Sequence, residues 1–183
     1  MKKIFYIFIF LLFSNNIYAA ENREEELNKL FNQLKNTYNN LSAKEIESKI
    51  WKLWTTHPSE QTLTDLLEKG SYYMSQNQLT SAHNVFSKAI ELDPNWAEAW
   101  NKRATVLYLM GNYDLSQNDI DMVLSLEKRH FGALAGQGLV QTALNNYQNA
   151  INSYQEVEKI YPSMQSPKLM IPKLKQLIKK QSI

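Results

Sequence analysis

Apolar and small residues recur along this chain at an interval of 34 residues. Leu66, Trp100 and Leu134 fall in step, as do Gly70, Ala104 and Gly138, then Leu79, Tyr113 and Tyr147. Ala82, Ser116 and Ala150 keep the same register, followed by Phe86, Ile120 and Tyr154, and by Leu92, Leu126 and Ile160. Small residues at two fixed places per unit let a pair of helices approach closely, while the large apolar residues fill the seam between them. Each unit is therefore predicted to be a helical hairpin. A lone hairpin cannot bury its apolar face, so the units must stack, and stacking gives a curved all-α superhelix with an extended concave surface.

Three units are delimited at 63–96, 97–130 and 131–164. Thr62 with Asp65 is read as the start of the first. Polar turns divide each hairpin at Gln76-Asn77-Gln78, Gly111-Asn112 and Asn145-Asn146, and the links are Asp93-Pro94-Asn95, Glu127-Lys128-Arg129 and Tyr161-Pro162-Ser163. Upstream, the acidic run Glu21 to Glu26 suits a helix start. Leu27, Leu30, Phe31, Leu34, Tyr38 and Leu41 form one helical stripe. Ser42 with Glu45 reads as a capping box for a second helix, whose buried face is Ile46, Ile50, Leu53 and Trp54 with Trp51 beside them. His57-Pro58 closes that helix. With Leu34 and Ile46 in its small positions, 20–62 is expected to be a degenerate terminal unit that caps the array. At the other end Pro167 and Pro172 bracket the approach to a last helix within 165–183. Its Leu169, Ile171, Leu174, Leu177 and Ile178 cover the flank of the third unit.

The first 19 residues change the picture of where such a body works. Lys2 and Lys3 precede an apolar run from Ile4 to Phe13, and Ile17-Tyr18-Ala19 offers a small residue for cleavage. That run is shorter than the roughly 20 residues a spanning helix needs, so 1–19 reads as a cleaved signal peptide. The expected location is the periplasm; an uncleaved anchor is the alternative. The chain has no cysteine, so its stability rests on packing. Its formal charge of +2 includes Lys2 and Lys3. The remainder is near neutral, which argues against nucleic acid as a partner, since phosphate neutralisation needs a dense basic face.

The residues Leu66, Gly70, Tyr73, Ala82, Phe86, Ala89 and Pro94 of the first unit resemble the tetratricopeptide repeat motif, and the third unit agrees through Leu134, Gly138, Ala150, Tyr154 and Pro162. The second agrees through Trp100, Ala104, Tyr113, Ile120 and Val123. Lys69, Arg103 and Gln137 depart from it at a place usually given to leucine, and Lys128 replaces the proline. The resemblance implies a superhelix that recognises a peptide or protein surface without catalysis or cofactor. It is also similar to small exported bacterial proteins of that family. The family's best-known mode grips a terminal carboxylate with cations on three successive units. The matching groove positions here are Thr64, Leu67, Glu68 and Ser71, then Glu98, Asn101, Lys102 and Thr105, then Gly132, Ala135, Gly136 and Leu139. Only Asn101 and Lys102 could serve, so that mode is not expected.

The candidate partner-binding residues are therefore Glu68, Glu98, Asn101, Lys102, Thr105 and Tyr108, with Leu139 if the third-unit groove is open. The small face of Gly132, Ala135, Gly136, Leu139 and Ala143 could seat a partner helix, but it suits the chain's own terminal or N-terminal helix better. All four tryptophans are expected in the core, Trp54 and Trp100 most simply, with partial exposure the alternative for Trp51 and Trp96. His57, His83 and His130 lack the spacing of a metal site, and His130 is read as a helix cap. Arg103 stands at an inward position where a buried arginine requires a partner; Asp119 is the candidate, and a fully solvated arginine is the alternative. The lysines 168, 173, 175, 179 and 180 suit a helix C-terminus; a weak attraction to anionic lipid or an acidic partner is the functional reading beside it. The sequence thus points to a periplasmic adaptor or assembly factor. A membrane-anchored organiser of the envelope is the alternative, and an enzyme acting on envelope polymers comes last, because no acid, base and nucleophile set assembles.

Overall fold

A computed structural model describes residues 22–181, so the proposed signal segment lies outside the described residues. The described chain is all-α. Helix α1 covers 22–35 and α2 Asn40–Thr55. Then come α3 Gln61–Ser75, α4 Leu79–Leu92, α5 Ala97–Leu109, α6 Tyr113–Leu126, α7 Phe131–Ala143, α8 Tyr147–Ile160 and α9 Gln165–Gln181. From α3 onward each helix packs antiparallel on the next. Successive odd-numbered helices from α3 to α9 also pack on one another, so α3, α5, α7 and α9 line the tighter, concave side of a solenoid.

The repeat's small positions explain the packing inside each hairpin. A Cβ on Gly70 would stand 2.4 Å from the Phe86 ring, and one on Gly138 would stand 2.6 Å from Tyr154. Ala104 and Ile120 share one buried cluster at the equivalent place. The three small residues thus occupy equivalent helix contacts. The turns repeat as well: Asn77, Gly111 and Asn145 have φ of 58°, 78° and 60°, the left-handed conformation that glycine and asparagine adopt most readily.

The polar departures from the motif are satisfied across the same seam. Arg103 donates in bidentate fashion to Asp119, at 2.7 and 2.8 Å, and also to Ser87 Oγ at 3.1 Å, which bears out the expected pair. Ser153 Oγ donates to Gln137 at 2.8 Å, and Lys69 lies 6.0 Å from the Tyr73 ring centroid. Leu174 of α9 packs with Ala150, Ile151 and Tyr154, and Ile171 and Ile178 join it in covering the flank of the third unit as expected, whereas Leu169 and Leu177, expected in the same cover, are exposed on the other side of the helix.

Several expectations at element ends are corrected. Asn39, not Ser42, caps α2, its side chain accepting from the amides of Leu41 and Ser42, which puts Ser42 inside the helix. The stripe of α1 stops before Tyr38 and Leu41, which are 81% and 75% exposed, because the chain turns toward that cap. Helix α3 begins at Gln61, ahead of Thr62. Pro167 and Pro172 both lie within α9. Pro167 sits in the first turn, where no amide is needed, and Pro172 is on the exposed side. Of the tryptophans expected in the core, Trp96 is buried, its Nε1 donating to the Trp54 carbonyl at 2.9 Å. Trp100 is only half-buried, its Nε1 on the Pro94 carbonyl and the Arg103 guanidinium 4.9 Å from its ring.

The largest difference concerns α1 and α2. They do not stack on the first unit: α2 approaches α5, and the apolar face of the pair joins Phe131, Leu134, Val157 and Tyr161 of the third unit in one core. Leu34 and Ile46 stand where a stacking hairpin needs small residues, so close hairpin packing on α3 is not available to this pair.

Candidate functional site: the concave face and its strap

Helix α2 runs along the row of inter-unit links, against the order of the units. At its start Tyr161 donates to Glu47 at 3.0 Å, and Trp51 Nε1 donates to the same carboxylate at 3.2 Å. Burial, reinforced by the Glu47 hydrogen bond, pushes the Tyr161 phenol well above its ordinary value. Midway, the Trp51 ring fills the space over Gly132, where a Cβ would come within 2.6 Å of it. Trp54 stacks on His130, with ring centroids 4.0 Å apart and planes 8° from parallel. At the end, His57 Nε2 lies 2.9 Å from Asp93, while His57 Nδ1 accepts from the amides of Ser59 and Glu60. The chain's own N-terminal helix thus takes one end of the third-unit groove.

Helix α1 braces this strap with two arginines. Arg23 donates to the carbonyls of Leu53 and Thr56, and burial lowers its pKa. Arg129 pairs with Glu127 at 2.7 Å and Glu24 at 2.9 Å, donates to Asn28, and lies 4.6 Å from the Phe31 ring. Its pKa is raised first of all by the hydrogen bond it donates to Glu127.

Beneath Trp51 and Trp54 lies a polar cluster that contains three of the candidate residues or their partners. His130 caps α7 as expected, its Nδ1 accepting from the Ala133 amide at 3.0 Å. Its Nε2 faces Glu98 Oε2 at 3.0 Å, and Asn101 donates to the same oxygen at 3.0 Å. Lys102 Nζ stands 3.3 Å from Glu98 Oε1 and 5.9 Å from the Trp51 ring. Glu98 is 1% exposed and Asn101 8%. Both were expected as groove contacts; Glu98 is instead internal, held against His130 under Trp54, while Asn101, though largely buried, still lines the cavity between α5 and α7. Lys102 is half-buried and already paired.

The other candidates remain at the surface. Glu68 is exposed on α3, away from the rest. Thr105 is exposed, its hydroxyl donating to the Asn101 carbonyl, and Tyr108 is half-buried with its ring 5.5 Å from that of Tyr113. Leu139 is 40% exposed. These three rim a cavity of about 60 Å³ between α5 and α7, floored by Ala104, Ile120, Ala133 and Gly136. Sequence reasoning missed Leu109, exposed beside Tyr108, and the exposed face of α9 with Leu169, Lys173 and Leu177. The signal was present: Leu109, Ala143 and Leu177 keep the 34-residue register along the inner row. The open part of the concave face is therefore largely apolar and lies on α5, α7 and α9.

Comparison with known proteins supplies the context. A family model described as "TPR repeat" matches residues 70–111, and one described as "Tetratricopeptide repeat" matches 132–164. A "TPR repeat-containing protein" of Rhizobium etli is 33% identical over 145 residues, 79% of this chain and 71% of that protein. Human RNA polymerase II-associated protein 3 is 22% identical over 107 residues, 58% of this chain but only 16% of that protein. Among solved structures, the first TPR of Spaghetti (RPAP3) bound to the HSP90 peptide SRMEEVD is similar with a TM-score of 0.63 at 21% identity, covering 64% of this chain and 94% of that one. The Sgt2 TPR domain from Aspergillus fumigatus gives a TM-score of 0.64 at 15% identity, covering 67% and 83%.

Proposed function

The chain belongs to the tetratricopeptide-repeat family, and on that premise we propose that it is a non-enzymatic adaptor or assembly factor, exported to the periplasm, that holds a peptide or protein segment on its concave face. One observation carries the reading. With its lower edge closed by α2, the solenoid still leaves Thr105 and Leu139 exposed at an open cavity on adjoining inner helices, with Leu109 exposed next to the cavity-lining Tyr108. Exposed apolar side chains gathered on a preformed concave surface are the usual signature of a binding groove. The Spaghetti domain's peptide supports a peptide as the class of partner. A terminal-carboxylate grip like a three-cation clamp is not part of the proposal, since Lys102 is neutralised by Glu98 and the equivalent third-unit position is Gly136.

In-cell photocrosslinking from a probe at Thr105 or Leu139 tests the groove. A defined protein adduct is expected, and a folded protein that yields none contradicts it. Export is tested by mass spectrometry of the N-terminus: a chain beginning at Ala20 is expected, whereas retention of residues 1–19 favours the membrane-anchored alternative.

A further inference from the structure

The chemistry of the partner is legible in the half of the concave face that α7 and α9 contribute. Helix α7 carries no charged residue from Phe131 to Ala143. Helix α9, the next inner helix, carries only lysines: 168, 173, 175, 179 and 180 are all exposed, and none is in an ion pair among the described residues. Elsewhere Arg103, Arg129 and Lys102 are each matched by a carboxylate. On α9, Leu169, Lys173 and Leu177 stand one repeat beyond Ala135, Leu139 and Ala143, so they continue the inner row. Leu169 is 60% exposed and Leu177 38%. The result is an apolar track from Leu109 through Leu139 to Leu169 and Leu177, with the free cation of Lys173 set between the two α9 leucines and that of Lys180 one turn beyond them.

Gly136 adds an independent observation. Glycine is the poorest helix former after proline, and Gly70, Gly132 and Gly138 are each needed because an aromatic ring fills the space of their missing side chain. At Gly136 a Cβ would meet only Ile120 Cδ1, at an ordinary 3.8 Å. The fold's own packing does not demand a glycine there. Its absent side chain keeps the cavity beside Leu139 open.

Resting on the adaptor reading above, we infer that the partner is an internal amphipathic segment whose apolar side chains lie over Leu109, Leu139 and Leu169, with one seated in the Gly136 cavity, and whose acidic side chains face Lys173 and Lys180. Three inner helices at 8–10 Å spacing span roughly 20 Å, the length of a helix of about 13 residues. A flat lipid surface reaches α9 at the rim but not the cavity between α5 and α7, so concavity favours a segment over a membrane.

The test is fluorescence anisotropy with the full chain and acetylated, C-terminally amidated peptides about 12 residues long, with leucine at every third or fourth place. Glutamate fills the remaining places in one peptide, glutamine in a second and lysine in a third. The glutamate peptide should bind about tenfold more tightly than the glutamine one, and the lysine peptide should not bind. The double substitution Lys173→Gln, Lys180→Gln should bring the glutamate peptide down to the glutamine level. Gly136→Leu, which fills the cavity, should weaken both, and Leu139→Ser at the exposed rim should do the same if the first variant folds poorly. Equal binding of the glutamate and lysine peptides overturns the inference, as does no binding of any. So does lysine-dependent capture by phosphatidylglycerol vesicles that Leu139→Ser leaves unchanged, which assigns α9 to a membrane. If crosslinking from Leu139 captures a protein while the glutamate peptide fails to bind, the adaptor reading stands and this one falls.

Discussion

The repeat stack and the N-terminal hairpin start from the same materials: two amphipathic helices and a link of one residue, proline and a polar residue, as in His57-Pro58-Ser59 against Tyr161-Pro162-Ser163. They bury their faces by different physics. The stack sets a small residue against a ring or branched side chain 16 residues on, as Gly70 with Phe86 and Gly138 with Tyr154, so backbones come close and each hairpin presents a regular flank to the next. The hairpin has Leu34 and Ile46 instead, and it is held by Trp51, Trp54, the Glu47 carboxylate and the Glu24 to Arg129 ion pair against the edge of the solenoid. Close backbone packing propagates from unit to unit, whereas pinning by aromatic rings and ion pairs fixes one element at one place.

Truncating Trp54→Ala should have the largest effect, about 4 kcal/mol, as expected for removal of a buried tryptophan. Hydrogen exchange should show the loss concentrated in α1 and α2; uniform loss through α3 to α6 would mean the hairpin is not a separate strap. Next is Arg103→Leu, which leaves the Asp119 carboxylate, 6% exposed at its side chain, without its partner. A loss of about 3 kcal/mol in denaturant titration is expected, falling on the stack rather than on the hairpin. Gly138→Ala follows at about 2 kcal/mol, because the new methyl overlaps the Tyr154 ring.

Two tyrosines separate the regions by pH. Burial pushes the Tyr154 phenol from 10.0 up to about 12, and raises Tyr161 as well. A folded-state pKa above the unfolded value stabilises below pH 10, where both states are protonated; that contribution is lost as pH rises toward 12 and the unfolded chain ionises first. Unfolding midpoints should fall across that window. Tyr154→Phe should flatten the fall within the stack and Tyr161→Phe at the strap. A midpoint that stays level from pH 10 to 12 in the unmodified chain would contradict the burial of both. The smallest effect is a gain: Gly136→Ala should stabilise α7 by roughly 0.5–1 kcal/mol, and a loss of stability would show that the cavity is tighter than the open site requires.

The period made the stack readable because it states which residues face inward within a unit. It placed Gly70, Ala104 and Gly138 in equivalent contacts and predicted the Arg103 to Asp119 pair. It could not say what lies across the inner face. Glu98 does point inward, yet α2 closes over it through ring contacts with His130 and Gly132 that no spacing encodes, while its neighbour Asn101 keeps a place in the cavity lining. Tyr38 and Leu41 extend the α1 stripe in register, but the helix ends before them, a boundary set by the chain reversal at Asn39 rather than by hydrophobicity.

The central claim is that α2 lies along the inter-unit links and leaves the α5, α7 and α9 face free. A photocrosslinking phenylalanine analogue in place of Trp51, in the full chain, tests it most directly, since the aromatic ring is kept and the linked peptide is mapped by mass spectrometry. Links to residues 130–132 are predicted, where Trp51 meets His130 and Gly132. Links to α3 would place the hairpin as a stacked fourth unit and contradict the account.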